Sequence, residues 1–194
     1  VSAKELERQL GVTYKCAWRM AKQIRLLFEQ NKSLLSDIVE ADETYIGGKS
    51  KGKRGRGAEN KTSVVGLVQR QGEVKARVTV NTKSITVKPL IRENVAIQSH
   101  IMTDEYRSYN NLDKYGYQHS RINHVSNQYV NGDVHTNTIE GFWSQLKRSI
   151  NGTYHAVSPK YLQDYVNEFA WRYNLRSSDL PIFHLMVVEA GMPA

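Results

Sequence analysis

A single cysteine, Cys16, is all that 194 residues provide. That excludes an internal disulfide and any cysteine-rich zinc module within the chain, and it suits a reducing cytoplasm. No apolar run approaches the ~20 residues that span a bilayer, and no charged-then-apolar leader points to export. Acidic residues are outnumbered, 19 against 27 basic ones, for a net charge of +8. Such an excess favours a polyanionic partner, although many proteins that bind nucleic acid share it. Hydrophobic residues at 40% and charged residues at 24% are ordinary for a globular domain. The chain opens on Val1 rather than Met, so further residues are expected upstream.

What is present divides near residue 35. Residues 1–35 form a small helical segment of helix-turn-helix spacing: Ser2 and Glu5 have capping-box spacing, Gly11 breaks the first helix, and Thr13 caps a second. Leu6 and Leu10, then Ala17, Met20 and Ile24, are expected to form the inner faces. Lys15, Arg19 and Lys22 project elsewhere and are candidate DNA contacts. An ordinary helical hairpin is the competing reading.

Residues 36–194 form the second unit. "DIVEADETYIGG" is a strand closed by paired glycines, and "KSKGKRGRGAENK" is too basic and glycine-rich to build a core. Lys49, Lys51, Lys53, Arg54 and Arg56 in that stretch are candidates for tracking backbone phosphates. A hairpin follows with Gln71-Gly72 at its turn, then a short helix in "SITVKPLIREN", strands in "SHIMTDEY" and "YQHSRINH", and two helices. The last helix, "SPKYLQDYVNEFAWRYNLR", has Ser158 as its expected cap, Pro159 in its first turn, and a stripe of Leu162, Tyr165, Val166, Phe169 and Tyr173. Three adjacent strands followed by strands alternating with helices predict an α/β fold, a mixed sheet flanked by helices.

Two acids sit where strands should be buried: Asp42 inside "IVEADETYI" and Asp104 at the end of "HIMTD". A lone carboxylate is costly to bury unless it is paired or binds a metal. Glu140, on the helix "HTNTIEGFWSQLKRSINGTYH", supplies a third, with Lys147 almost two turns further on the same face. Asn137 and Glu140 also have N-cap and N3 spacing, so a capping box is an alternative role for Glu140. Three carboxylates from two strands and a helix suit a pair of Mg²⁺ ions, which prefer oxygen ligands and lie about 4 Å apart in two-metal sites. Tyr45, Tyr106 and Tyr109 read as strand or core-edge residues rather than nucleophiles. Trp143 and Trp171 read as core, and Arg172 is placed to pair with Glu168.

"VEADETYIGG", "TDEYRSY", "HTNTIEGFWSQLKRSINGTYH" and "YLQDYVNEFAWRYNLR", in that order, resemble the DDE transposases of bacterial insertion sequences. The branch meant is the one that carries a zinc ribbon and helix-turn-helix before its catalytic domain. The resemblance implies an RNase H-like fold and Mg²⁺-dependent cutting and joining of DNA, with Mn²⁺ as a substitute. It implies Asp42, Asp104 and Glu140 as the metal-binding acids and Lys147 as a contact to DNA phosphate, with Arg148 extending the positive surface. Because some members place Asn where others have the third acid, Asn137 is a rival ligand, with Asp133 and Glu168 as weaker ones. No zinc ribbon precedes these residues, as expected of a chain missing its natural start. The implied partners are transposon-end and target DNA and further copies of the chain assembled on that DNA, in the cytoplasm and on the nucleoid. A non-catalytic helix-turn-helix regulator and another RNase H-like nuclease are the rival readings.

Overall fold

The computed structural model describes residues 1–28, 30, 32–47, 61–122 and 135–191. Its centre is a five-stranded mixed sheet. In chain order, the strands are β1 (Ile38–Gly47), β2 (Lys61–Gln69), β3 (Val74–Thr79), β4 (His100–Thr103) and β5 (Gln118–Arg121). The helices are α1 (Ala3–Leu10), α2 (Tyr14–Leu26), α3 (Ser84–Asn94), α4 (Asn137–Ser149), α5 (Leu162–Asn174) and α6 (Ile182–Gly191). Across the sheet the order is β3-β2-β1-β4-β5. β1, β2 and β3 form an antiparallel meander, whereas β4 and β5 run parallel to β1. This is the RNase H-like arrangement of a mixed sheet flanked by helices. Among the described residues, no helix is long and apolar enough to cross a membrane.

Strand alternation sends neighbouring β1 residues to opposite faces. Val39 and Ala41 join Val65, Leu67, Ile91, Ile101 and Tyr109 in the core beneath α3. Ile46 faces the other way, into a core built with Val64, Val68, Ile139, Trp143, Leu146, Val166 and Ala170 from α4 and α5. β1 is therefore buried on both sides, and its charged residues all need partners within the protein.

The outer edge of β3 is sealed by side-chain amides. Asn174 bonds the Val74 N–H at 2.7 Å and its carbonyl at 3.2 Å. Gln30 does the same for Ala76 at 3.0 and 2.6 Å, and Gln163 accepts from the Val78 N–H at 2.7 Å. An edge strand is thus closed to further pairing while α5 is fastened alongside it.

The N-terminal pair of helices has the expected caps. Ser2 Oγ accepts from the Glu5 N–H, Gly11 takes the left-handed conformation at φ 63°, and Thr13 Oγ1 accepts from the Cys16 N–H. The inner face of α2 differs from the expected one. Ala17, Ala21 and Arg25 are buried, whereas Met20 is 43% and Ile24 37% exposed, and Leu10 is 53% exposed. The cause is Arg25, whose Nε donates to Glu168 of α5 at 2.9 Å while its guanidinium lies 4.1 Å from the centre of the Tyr165 ring. Two alanines preceding it at four-residue spacing let α2 approach closely on that face. Phe28 then stacks on Trp171, with ring centres 4.5 Å apart. The segment before residue 36 is docked on the sheet-bearing unit.

Two other starts also differ. Thr136, not Asn137, is the N-cap of α4. Ser158 precedes a 3₁₀ turn, Pro159–Tyr161, and α5 itself begins at Leu162. Leu162, Val166 and Ala170 form the buried line of α5, with Tyr165, Phe169 and Tyr173 half-buried. Helix α6 lies beyond the last helix read from the sequence and buries no residue.

Candidate active site

Asp42 sits mid-strand in β1 and faces α4. Its partner across the ladder is Gly66 of β2. That glycine gives Trp143 room to lie against the sheet, since a Cβ there would come within 2.5 Å of the indole ring. The indole Nε1–H donates to Asp42 Oδ2 at 3.1 Å. Trp143 is core, as expected, and it also aims the carboxylate, a role its apolar context did not reveal.

Asp104 follows the last residue of β4, which pairs in parallel register with β1, Thr103 standing beside Ala41. The two acids are thereby carried to the same level of adjacent strands. Asp104 Oδ1 accepts from the Tyr106 N–H at 2.9 Å, closing an Asx turn that fixes the side chain. Burial pushes the Asp42 carboxyl up from its ordinary 3.8 to about 7, and the charges of Glu43 and Asp104 add to the effect. Two carboxylates at this range supply oxygen donors of the kind that a hard divalent cation prefers.

Glu140 stands in the first turn of α4, exposed, and its Oε1 accepts from Thr136 Oγ1 at 3.0 Å. The capping box is not formed: α4 has no side-chain cap bond, and the Thr136 hydroxyl meets the Glu140 carboxylate instead of a backbone N–H. Asn137 is exposed. Among the described residues no group of three acidic, histidine or cysteine side chains is close enough to hold one ion as they stand. Asp42 lies within range of the Asp104 charge, whereas the Glu140 carboxylate is engaged by Thr136. Glu168 is engaged elsewhere, buried between Arg25 and Arg172, each at 2.9 Å.

Lys147 is exposed on α4 within reach of Asp42's charge. Crowding around its ammonium and the nearby Lys61 lower its pKa, against the opposing pull of Asp42. Lys61 therefore joins the positive rim of the site, a position the sequence reading passed over. Arg148 is exposed beside it, its guanidinium 3.3 Å from Ser144 Oγ. On α2, Lys15 and Arg19 are exposed, and Lys22 lies over the Tyr161 ring at 5.3 Å. Lys49, Lys51, Lys53, Arg54, Arg56 and Asp133 lie outside the described residues.

The tyrosines behave as core-edge residues. Tyr109 is fully buried and donates to Glu43 Oε2 at 2.9 Å, and burial with three neighbouring acids holds its hydroxyl well above the usual range. Tyr45 and Tyr106 converge on Thr82 Oγ1 at 3.0 and 3.4 Å. The bond from Tyr109 braces β1 against the turn that follows Asp104. Neither it nor the buried Glu40 was singled out from sequence, although period-two alternation places Glu40 and Asp42 on one face of a buried strand.

Comparison with known proteins supplies the remaining observations. Residues 34–174 match the ISXO2-like transposase domain. A transposase-like protein of Haemophilus influenzae is 35% identical over 97 residues, covering 50% of this chain and 77% of that one. A protein in the transposable element ISH50 of Halobacterium salinarum is 29% identical over 191 residues, covering 88% of this chain but only 64% of that protein. Among solved structures, the HTLV-2 integrase catalytic core domain in complex with magnesium is 16% identical with a TM-score of 0.46, covering 78% of this chain and 94% of that one. The Mos1 transposase paired-end complex with left transposon end is 16% identical with a TM-score of 0.34, covering 89% and 72%.

Proposed function

The chain belongs to the ISXO2-like transposase domain family, and on that premise we propose that it cuts DNA at transposon ends and joins them to target DNA with a divalent cation. Mg²⁺ is the proposed ion, and Mn²⁺ its substitute. Asp42 and Asp104 hold the cations, and Glu140, or Asn137 one turn earlier, completes the set from α4. When bound, such ions make the attacking oxygen more nucleophilic and offset the charge that builds on the phosphate. The observation that carries this reading is a largely buried Asp42, its pKa raised by burial to about 7, with Asp104 at the same level of the adjacent strand and near enough for its charge to add to that rise. A purely regulatory DNA-binding protein has no use for that arrangement, which costs folding stability when empty.

The chain's own residues divide the remaining work. Trp143 holds Asp42 in one orientation through the indole bond. Tyr106 does the same for Asp104 through its backbone N–H. Lys147 and Arg148 line the approach with positive charge and hold a DNA phosphate over the acids. Lys15, Arg19 and Lys22 on α2 and the basic stretch holding Lys49, Lys51, Lys53, Arg54 and Arg56 grip the backbone further away. Residues 1–35 serve as the DNA-binding segment and residues 36–194 as the catalytic domain.

The chemistry runs in two steps. Water attacks a phosphodiester at the transposon end, the bond to the 3′-oxygen breaks, and a free 3′-hydroxyl is left. That hydroxyl then attacks a target phosphodiester in line, forming one phosphorus–oxygen bond as another breaks. No covalent bond to the protein forms, so Tyr45 and Tyr106 are not nucleophiles. Because two ends must be held together, copies of the chain assemble on DNA, and sizing of the end complex reads that directly.

The test is cleavage of DNA carrying the element's terminal inverted repeats in Mg²⁺, wild type against Asp104→Asn. Cleavage and joining by the wild type alone is expected. Equal cleavage by both proteins would remove the catalytic assignment, and cleavage without joining would leave a nuclease.

A further inference from the structure

Glu40 is a charged side chain with 0% exposure, two residues before Asp42 on the same face of β1. It is not spare charge trapped in a core. Its Oε2 accepts from the backbone N–H groups of Thr138 at 2.9 Å and Ile139 at 3.1 Å, the second and third amides of α4. Its Oε1 accepts from Thr138 Oγ1 at 2.8 Å and Arg70 Nε at 2.8 Å. Arg70 reaches on to the His135 carbonyl at 2.9 Å, so one guanidinium binds both the carboxylate and the chain entering the helix. His135 Nδ1 stands 3.3 Å from the same Oε1.

We propose that Glu40 is the positioning residue for the α4 acid: its carboxylate locks the start of α4 to β1 and so sets where Glu140 stands relative to Asp42 and Asp104. This rests on the reading of those acids as a metal site. Thr138 and Glu40 are 98 positions apart in the chain, yet the clasp makes the physical link between the acids short. Along β1, Glu40 and Asp42 are about 7 Å apart at the usual strand rise. Along α4, Glu140 is the residue after clasped Ile139, about 1.5 Å further up the axis. Helix N-terminal amides favour an anion, so the clasp is strong as well as short.

Glu40 itself does not take the metal, because four donors already fill its oxygens. Sliding α4 by one residue would strip the buried carboxylate of its three bonds from Thr138 and Ile139 and Arg70 of its bond to the His135 carbonyl, which is why the clasp admits one register. Trp143 on Asp42, one turn further along α4, fixes the rotation that the N-terminal clasp leaves open.

Mn²⁺ titration calorimetry on the full chain separates this role from the metal site itself. Wild type is expected to bind Mn²⁺ and Asp42→Asn to lose that binding. If wild type takes up no Mn²⁺, or Asp42→Asn binds as well as wild type, the metal reading fails and the role given to Glu40 falls with it. With those two results in hand, Glu40→Asp keeps the charge and shortens the reach by one methylene. It should bind Mn²⁺ about tenfold more weakly, as loss of an orienting partner behind a ligand does. Arg25→Met, which breaks the buried pair between α2 and α5, serves as the stability control and should stay within about twofold of wild type. The proposal is overturned if Glu40→Asp binds Mn²⁺ as wild type does, or if both variants lose affinity in step with their melting temperatures. If Glu40→Asp does not fold, Thr138→Val removes one bond of the clasp from the helix side. About threefold weaker binding is then expected, and unchanged affinity overturns the proposal.

Discussion

Neutralising Asp42 should make the metal-free protein more stable, and the site fixes the pH at which it does so. With its carboxyl raised from 3.8 to about 7, the folded state keeps a proton that the unfolded chain has released anywhere between those values. Stability contributed by that proton is whole below about pH 4, is lost as pH rises through about 7, and stays lost above. A shift of that size corresponds to about 4 kcal/mol at pH 8. Asp42 keeps some contact with water and its neighbours relax, so about half, ~2 kcal/mol, is the expected gain for Asp42→Asn. Asparagine preserves the bond from Trp143, because its carbonyl oxygen still accepts. Urea unfolding in chelator at about pH 5 and about pH 8 reads the difference directly. The variant should exceed wild type most at the higher pH, and Mg²⁺ should restore wild type while leaving the variant unchanged. A variant no more stable than wild type at pH 8, or a gain equal at both pH values, would refute the reasoning.

Gly66→Ala should cost about 1–3 kcal/mol in urea melts by driving a methyl into the Trp143 ring, and DNA cleavage should fall with it as Asp42 loses its indole bond; a melt matching wild type contradicts this. Arg25→Met should cost about 3 kcal/mol by leaving Glu168 buried with Arg172 alone, and a loss below about 1 kcal/mol would show that the helix-turn-helix-like segment is not anchored there. Lys147→Ala, at an exposed position, should leave the melt within about 0.5 kcal/mol. It should reduce the salt slope of DNA binding by about one; an unchanged slope removes the phosphate contact.

Much of the sheet was legible because its signals are local. The run from Ile38 to Gly47, the Gln71-Gly72 turn with Gln71 at φ 59°, and Trp143 as a core residue each follow from patterning and turn chemistry. The inner face of α2 was misread because the deciding partner is remote: Arg25 is paired 143 positions away with Glu168. No helical period announces a buried guanidinium between two aromatic rings. For the same reason Met20 and Ile24 were read as core beside Ala17 while Ala21 was passed over, although of these only the two alanines are buried.

In the site, Asp42 and Asp104 stood out because carboxylates inside apolar strands demand an explanation. Glu40 carried the same signal and was passed over, since its answer is the amide end of a helix and an arginine on a turn. Tyr109 and Glu43 were missed as a pair because neither residue alone departs from an ordinary motif. Gly66 is intelligible only once Trp143 is seen lying across it.

Anomalous diffraction from crystals soaked in Mn²⁺ asks the central question most directly. Density bonded at about 2 Å to carboxylate oxygens of both Asp42 and Asp104 is expected, with Glu140 turned from Thr136 to join them. Crystals that show no manganese between these two aspartates, or only manganese elsewhere on the surface, would contradict the metal-dependent reading of the fold.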